Sequence, residues 1–407
     1  MTEEVTDGLA QPKRKWAMVA IALGISVAVL DGAIANVALP TIASDLHINP
    51  ASSIWIVNAF QLAVTISLLA FSSLGDLWGY KRVYVVGLLM FSVTSLICAL
   101  SDSFVTLVVA RGLQGFSAAA NWPWLFAINV PIGLLAFVLG QKFLPQNPVK
   151  LKNQRFDVTS AILNALTFGL LICVIDGFAH DIHWYILVPG MGVMLILGWF
   201  FIQRQLHHPY PLLPVDLMHS RIFSLSLLTS VFSFIAQMLA LVSIPFFFQR
   251  VLHLSEVVTG LLLTPWLLAT MIAAPLAGRL MNRVNAGLLS GIGLLIFGVA
   301  LFLLAHLPAD PTHWDIVWRM IVGGIGFGIF ITPNNSTIIA SAPKERTGGA
   351  SGMLGMARLL GQTVGAAFAA VIFAVFPGHG MRYSLIFGAA LAVISAVISS
   401  LRIHHQK

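Results

Sequence analysis

A few ionisable and amide side chains stand inside otherwise apolar sequence, and these are the residues able to do chemistry. Asp31 lies in Val29-Leu30-Asp31-Gly32-Ala33-Ile34-Ala35-Asn36. An ionised carboxylate at mid-bilayer costs about 2.5 to 3.5 kcal/mol on insertion scales. Desolvation therefore favours its protonated form, which makes Asp31 a candidate proton carrier or cation site. The alternative is a structural carboxylate paired with one arginine. Arg111 keeps its proton, so inside a membrane it must pair with a carboxylate or sit on backbone carbonyls. Beside a protonatable acid it would ease proton release and tie that release to conformation; an arginine snorkelling to the interface is the competing reading. Gln114 follows Arg111 by one turn. Asn58, Gln61 and Thr65 recur at helical spacing, with Trp55 one turn earlier, and either line a cavity or hydrogen-bond between helices. Arg319 and Arg358 are the other arginines inside apolar runs.

Enzyme chemistry finds no foothold here. The sequence contains no HExxH, no P-loop lysine motif and no Ser/His/Asp arrangement in polar context. Its 12 histidines fall in loops or at the ends of apolar runs, which argues against a histidine proton relay in the bilayer. Cys98 and Cys173 both lie within apolar runs, the wrong setting for a disulfide framework or thiolate metal site, and read as packing residues. No metal and no cofactor is called for.

The elements that must position these residues follow from composition. With 58% hydrophobic and 9% charged residues and mean hydropathy +0.91, the chain has more apolar surface than a water-soluble fold can bury. Apolar runs of about 20 residues recur between Trp16 and Arg402, the length of a membrane-crossing helix rather than a barrel strand. The expected class is an all-α polytopic membrane protein. The net charge of +7 comes from basic residues in short loops. This fits a lipid bilayer with positive loops inside better than a nucleic-acid partner. Lys13-Arg14-Lys15 before an apolar run resembles a signal peptide, but the run from Trp16 to Leu39 is longer than a signal core and reads as a retained anchor.

Thirteen apolar segments are legible, and the longest polar connections, Phe143 to Asp157 and Gln203 to Arg221, divide them. Residues 1–144 read as an N-terminal helix bundle, 145–222 as an inserted helix pair with its loops, and 223–407 as a C-terminal bundle of six segments. An internal repeat links the bundles. Asp76 and Asn282 are 206 residues apart, and the pairs Arg111/Gly115 and Arg319/Gly323 are 208 apart. The register then breaks: Arg319 to Arg402 spans 83 residues, but Arg111 to the matching basic exit at Lys142 spans only 31. The shortfall of about 52 is one hairpin of spans. Charge agrees, because one net crossing by 104–144 leaves most lysines and arginines on one side, whereas two would split them. Ser117 to Pro123 reads as the join, and residues 1–144 as a bundle one hairpin short.

These landmarks resemble the major facilitator superfamily, in particular its fourteen-helix drug:proton antiporter branch and, within it, the methyl viologen and quaternary-ammonium efflux pumps. Val29 to Pro40 is similar to the first-helix motif of that branch, and Ser72 to Arg82 to the cytoplasmic-loop motif. Ser72, Leu77 and Tyr80 depart from that loop's preferred glycine, arginine and basic residue. Arg111-Gly112-Leu113-Gln114-Gly115 resembles the fourth-helix motif; Asn121 to Gly133 and Gly349 to Gly365 resemble the family's sixth and thirteenth helices. The glycine-rich fifth-helix antiporter motif is missing. The resemblance implies the two-bundle major facilitator fold and proton-coupled export of lipophilic organic cations from a bacterium, across its cytoplasmic membrane, with both termini cytoplasmic. Asp31 and Arg111 would couple protons, Asp76, Gly79, Lys81 and Arg82 would form the gating loop, and Asn36, Trp55, Asn58, Gln61 and Gln114 would line the substrate cavity. Arg319 and Arg358 are the corresponding charges of the C-terminal bundle.

Overall fold

The computed structural model describes residues 16, 35–78, 80–115, 135, 137–139, 141–142, 157–179, 182–207, 211, 213, 215–308, 310–342, 347–376 and 378–402. Asp31, Gly79 and the expected join at 117–123 lie outside them. The described chain is helical throughout. Residues 35–45 are helical, followed by α1 (Pro50–Ser53), α2 (Trp55–Trp78), α3 (Tyr80–Ala99) and α4 (Phe104–Gly115). Then come α5 (Val158–Ala179), α6 (Trp184–His207), a 3₁₀ turn (Val215–His219), and α7 (Arg221–Arg250) through α8 (Glu256–Leu280), α9 (Ala286–Ala305), α10 (His313–Ala340), α11 (Thr347–Val375) and α12 (Gly380–Leu401). Among the described residues nine helices are long and apolar enough to cross a membrane. A helix satisfies its backbone groups internally, so only the side chains decide whether the surface suits lipid. Cys98 is buried as expected, but Cys173 is exposed on α5.

Helices α7 to α12 form one bundle, in which α10 packs on α8 and α9, and α7 on α11 and α12. Where lipid surrounds a bundle, close backbone approach through small residues takes over from hydrophobic collapse. A Cβ on Gly326 would lie 2.5 Å from the Phe297 backbone nitrogen, and one on Gly361 would lie 2.6 Å from the Val231 carbonyl oxygen. Aromatic rings fill the space beside these seams, with Trp266–Phe297, Phe297–Phe327 and Phe234–Phe327 centroids 5.5, 5.4 and 5.7 Å apart.

Helices α2, α3 and α4 pack together in the other half. The pair α5 and α6 is not a free appendage: α5 lies against both α2 and α11, and the Asn164 amide donates to the Ile66 carbonyl at 3.0 Å. The α6 span is only 11% buried, so most of its apolar surface faces outward.

A second mark of the repeat appears in the backbone. His47 and His253 both have left-handed φ, 51° and 53°, and stand 206 residues apart in the sequences Leu46-His47-Ile48 and Leu252-His253-Leu254. Each closes a helix: Ile48 N–H donates to Ala43 O at 2.9 Å, and Leu254 N–H to Phe248 O at 2.9 Å. A non-glycine residue adopts this conformation rarely, so its recurrence at the repeat spacing ties the two helix ends together as equivalents.

Candidate functional site

Arg111 is 1% exposed and Gln114 fully buried, three residues apart on the same side of α4. The Arg111 Nε–H donates to the Ile56 carbonyl at 3.1 Å, and its Nη1–H to Gln114 Oε1 at 2.9 Å. The guanidinium lies 4.5 Å from the Phe60 ring centroid. Gln114 in turn donates from Nε2 to Ser95 Oγ at 3.0 Å, and the Cys98 thiol lies 3.6 Å from its Oε1. Three helices therefore hold one cation away from the interface, and the snorkelling reading is set aside. Backbone and side-chain acceptors with an aromatic face fix its orientation, which preorganises the charge for an anion brought beside it.

The polar stripe of α2 divides along its length. Asn36 and Gln61 are buried, and Trp55 is half-buried. Thr65 Oγ1 stands 3.3 Å from Thr363 Oγ1 on α11. Each hydroxyl also donates to a carbonyl of its own helix, Gln61 and Leu359 respectively, so the contact between halves is a shared one. Asn58 is fully buried, and neither its Oδ1 nor its Nδ2 has a hydrogen-bonding partner among the described residues. An unsatisfied buried amide costs about 1 to 3 kcal/mol, and such a group is completed by a ligand or ordered water.

The remaining expected residues are scattered. Asp76 lies within α2, while Lys81 and Arg82 occupy the first turn of α3 and are half-buried and exposed. The sequence reads this stretch as a loop; the structure has helix up to Trp78 and again from Tyr80. Arg319 differs from its repeat partner Arg111: it reaches back to Asp315 at 3.4 Å and lies over Trp318 at 4.5 Å in the first turns of α10. Arg358 is exposed, 5.6 Å over the Phe234 ring.

Two polar clusters escape sequence reasoning. Arg402, which reads as a basic exit, is fully buried. Its Nη1–H donates to Ser226 Oγ and to Asn334 Oδ1, both at 2.7 Å, its Nε–H to the Ser399 carbonyl at 3.3 Å, and its Nη2–H to Ser399 Oγ. Burial pushes the guanidinium down to about 10, still a cation at neutral pH. The Asn334-Asn335 pair inside an apolar helix was the one signal for it. Asp157 caps α5 by accepting from the Ser160 N–H at 3.1 Å and pairs with Arg204 of α6 at 3.0 Å. Burial raises its carboxyl, but hydrogen bonds from Arg204 and Ser160 and the Arg204 charge outweigh that and hold it at about 2.

The sequence profile of the Major Facilitator Superfamily matches residues 21–123 and 226–406, leaving out the helix pair. The uncharacterized transporter YebQ of Escherichia coli is 52% identical over 450 aligned positions, covering 99% of this chain and 98% of that protein. The riboflavin transporter RibZ of Clostridioides difficile is 28% identical, covering 89% of each chain. The multidrug export protein EmrB of Haemophilus influenzae is 24% identical, covering 87% of this chain and 80% of its own length. Among solved structures, a bacterial homologue of the human lysosomal transporter Spinster superposes with TM-score 0.61 at 16% identity, covering 97% of each chain. With the family profile spanning most of the chain and an all-helical fold shared with solved transporters, this membrane protein belongs to the Major Facilitator Superfamily.

Proposed function

We propose that the chain belongs to a proton-coupled exporter of lipophilic organic cations in the bacterial cytoplasmic membrane, with both termini cytoplasmic. The observation that carries this reading is Arg111, a permanent cation sealed inside α4 and oriented by α2 and α3. A fixed charge there favours ionisation of an adjacent carboxylate, and Asp31 is the residue we assign to that role. Proton entry from outside neutralises the acid and releases the cation, while the halves rock about a midplane cavity lined by Asn36, Asn58, Gln61 and Gln114. Asp76, Lys81 and Arg82 act at the cytoplasmic gate, and Arg358 and Arg319 are the charges of the second half. EmrB, a multidrug export protein, supports the export reading; RibZ, a riboflavin transporter, supports riboflavin as a second substrate class. The test is extrusion of methyl viologen and of riboflavin by cells expressing the protein and its Asp31→Asn variant. Loss of methyl viologen extrusion in the variant is expected; unchanged extrusion removes Asp31 from the mechanism.

The second reading is an internally deleted, transport-inactive form with at most a membrane-interaction role. The alignment with YebQ supports it. Of the 450 aligned positions this chain fills 99% of 407 residues, or about 403, so about 47 positions face a gap. That is close to the shortfall of about 52 in the repeat, which sequence spacing assigns to the end of the fourth helix and the fifth. On this reading residues 1–144 are an incomplete bundle, 145–222 the inserted pair and 223–407 the intact bundle. A topology reporter fused after Lys150 is expected to read cytoplasmic; an external reading would refute the single crossing.

A further inference from the structure

We infer that the groove between α5 and α6 binds an anionic phospholipid, with its phosphate on Arg204 and His207 and an acyl chain along Leu163 and Phe200. This site belongs to the helix pair that the family profile leaves out, and it does not depend on what the chain transports.

The groove has a volume of about 480 Å³ and is lined by Thr159 and Leu163 of α5 and by Phe200, Gln203, Arg204 and His207 of α6, which is ample for a small-molecule ligand. These residues recur at three- and four-residue spacing, so each helix gives the groove one face. Arg204 pairs with Asp157 at 3.0 Å, and the Gln205 amide donates to Ser160 Oγ at 2.7 Å. The start of α5 therefore stands beside the end of α6. Polarity is graded along the groove as a result: Thr159, Gln203, Arg204 and His207 make the mouth, and Leu163 and Phe200 lie deeper in the span.

Asp157 does not cancel the charge of that mouth. Its side chain is 7% exposed against 41% for Arg204, so the carboxylate is covered and the guanidinium is presented outward. Asp157 and Ser160 engage Nε and Nη2 of Arg204, and Nη1 has no acceptor among the described residues. The Thr159 hydroxyl and the Gln203 amide likewise have no partner there. His207 Nδ1–H donates to the Gln203 carbonyl at 2.8 Å, which fixes the ring and leaves Nε2 to donate from the imidazolium. A phosphate, with its charge and several acceptor oxygens, complements this set. The chain entering α5 adds Lys150, Lys152 and Arg155.

Depth along α6 identifies the occupant as a lipid. Arg204 follows Trp184 by about 30 Å of helix, the thickness of the hydrocarbon core. With Trp184 and Tyr185 at one interface, Arg204 and His207 reach the headgroup layer of the other. Trp199, Phe200, Ile202 and Leu206 beside the groove are all exposed, so it opens on apolar surface. A water-borne anion gains nothing from such walls, whereas an acyl chain does.

The test is native mass spectrometry of the full chain in detergent, titrated with dioleoylphosphatidylglycerol and with dioleoylphosphatidylcholine. The parent should hold the anionic lipid about tenfold more tightly. Arg204→Gln/His207→Gln should bring the two lipids within about twofold, and Arg204→Gln/Asp157→Asn, which strands no carboxylate, gives the same readout where the first variant does not fold. Leu163→Trp keeps every charge but fills the apolar end, and should weaken the anionic lipid about tenfold. Lys150→Gln/Lys152→Gln should leave the preference intact. Loss of preference in that loop variant alone, or unchanged binding in the groove variants, would overturn the site. Displacement of the lipid by inorganic phosphate at equal concentration would overturn its assignment to a lipid. A dimer that Leu163→Trp dissociates without changing lipid binding would give the groove to a second copy and overturn the proposal as well. No drug or proton gradient enters the measurement, so its outcome and that of the extrusion assay are separate.

Discussion

Replacing Arg402 with methionine is the sharpest test of how the C-terminal bundle is held. Methionine keeps the unbranched stem and approximate volume but removes every donor. The change deletes the hydrogen bonds to Ser226, Asn334 and Ser399 and leaves Asn334 Oδ1 buried without a partner. Asn334 still donates to Ser230 Oγ at 2.7 Å, so one half of its amide stays satisfied. Hydrogen bonds to a charged group contribute about 1.5 to 3 kcal/mol each, and the desolvation of the lost guanidinium is recovered. The net expected loss is about 3 to 5 kcal/mol. For a bundle of this size that is roughly a 6 to 20 °C fall in melting temperature, read from the fluorescence of the buried Trp266 in detergent. Arg402→Lys, which keeps the charge but loses the planar fork, should fall between parent and methionine. Asn334→Ala combined with Arg402→Met should cost less than the sum. A loss below about 1 kcal/mol for Arg402→Met, or strict additivity in the double variant, would refute the account.

Acid should loosen the helix pair. Asp157 has its carboxyl lowered from 3.8 to about 2, so its contribution is fully present above about pH 4 and is lost as pH falls through 2. Hydrogen exchange in the first turn of α5 should rise across that window and become insensitive to it in Asp157→Asn. Gly326→Ala should destabilise the α9–α10 seam by about 3 kcal/mol, because its Cβ meets backbone atoms that cannot move aside. Gly352→Ala, with open space around it, should change stability by less than about 1 kcal/mol; both are read by thermal unfolding. Arg111→Lys should keep the fold but cut extrusion at least tenfold, roughly the loss of one charged hydrogen bond. The check is efflux per unit of purified protein.

The spans were legible because crossing a membrane is a local demand, met or failed within about 20 consecutive residues. Each long segment from 158 onward is a helix in the structure, with ends shifted by a few residues. Arg111 was legible as a charge inside an apolar segment, though that it is buried and does not snorkel is seen only in its contacts with Ile56, Gln114 and Phe60. Its role within the stripe was not. Sequence left Asn58, Gln61 and Thr65 between cavity and interhelical contact; in the structure Thr65 stands beside Thr363, while the buried Asn58 amide has no hydrogen-bond partner among the described residues.

What the sequence by itself determined is the class, the spans and the repeat, all properties of composition and spacing along one chain. Which faces meet was decided only by the tertiary structure. Arg319 and Arg111 occupy equivalent register, yet one lies against the first turns of its own helix and the other is sealed by three helices. Arg402 has the sequence profile of a basic exit and is nonetheless buried, because Ser226, Asn334 and Ser399 arrive from three different helices to receive it. The Thr41 hydroxyl lies within hydrogen-bond reach of Gln249 and Glu256, 208 and 215 residues further along the chain, with no sequence pattern that pairs them. A hydrogen bond needs its partners within about 3 Å, and nothing in the spacing of one chain fixes that distance between helices.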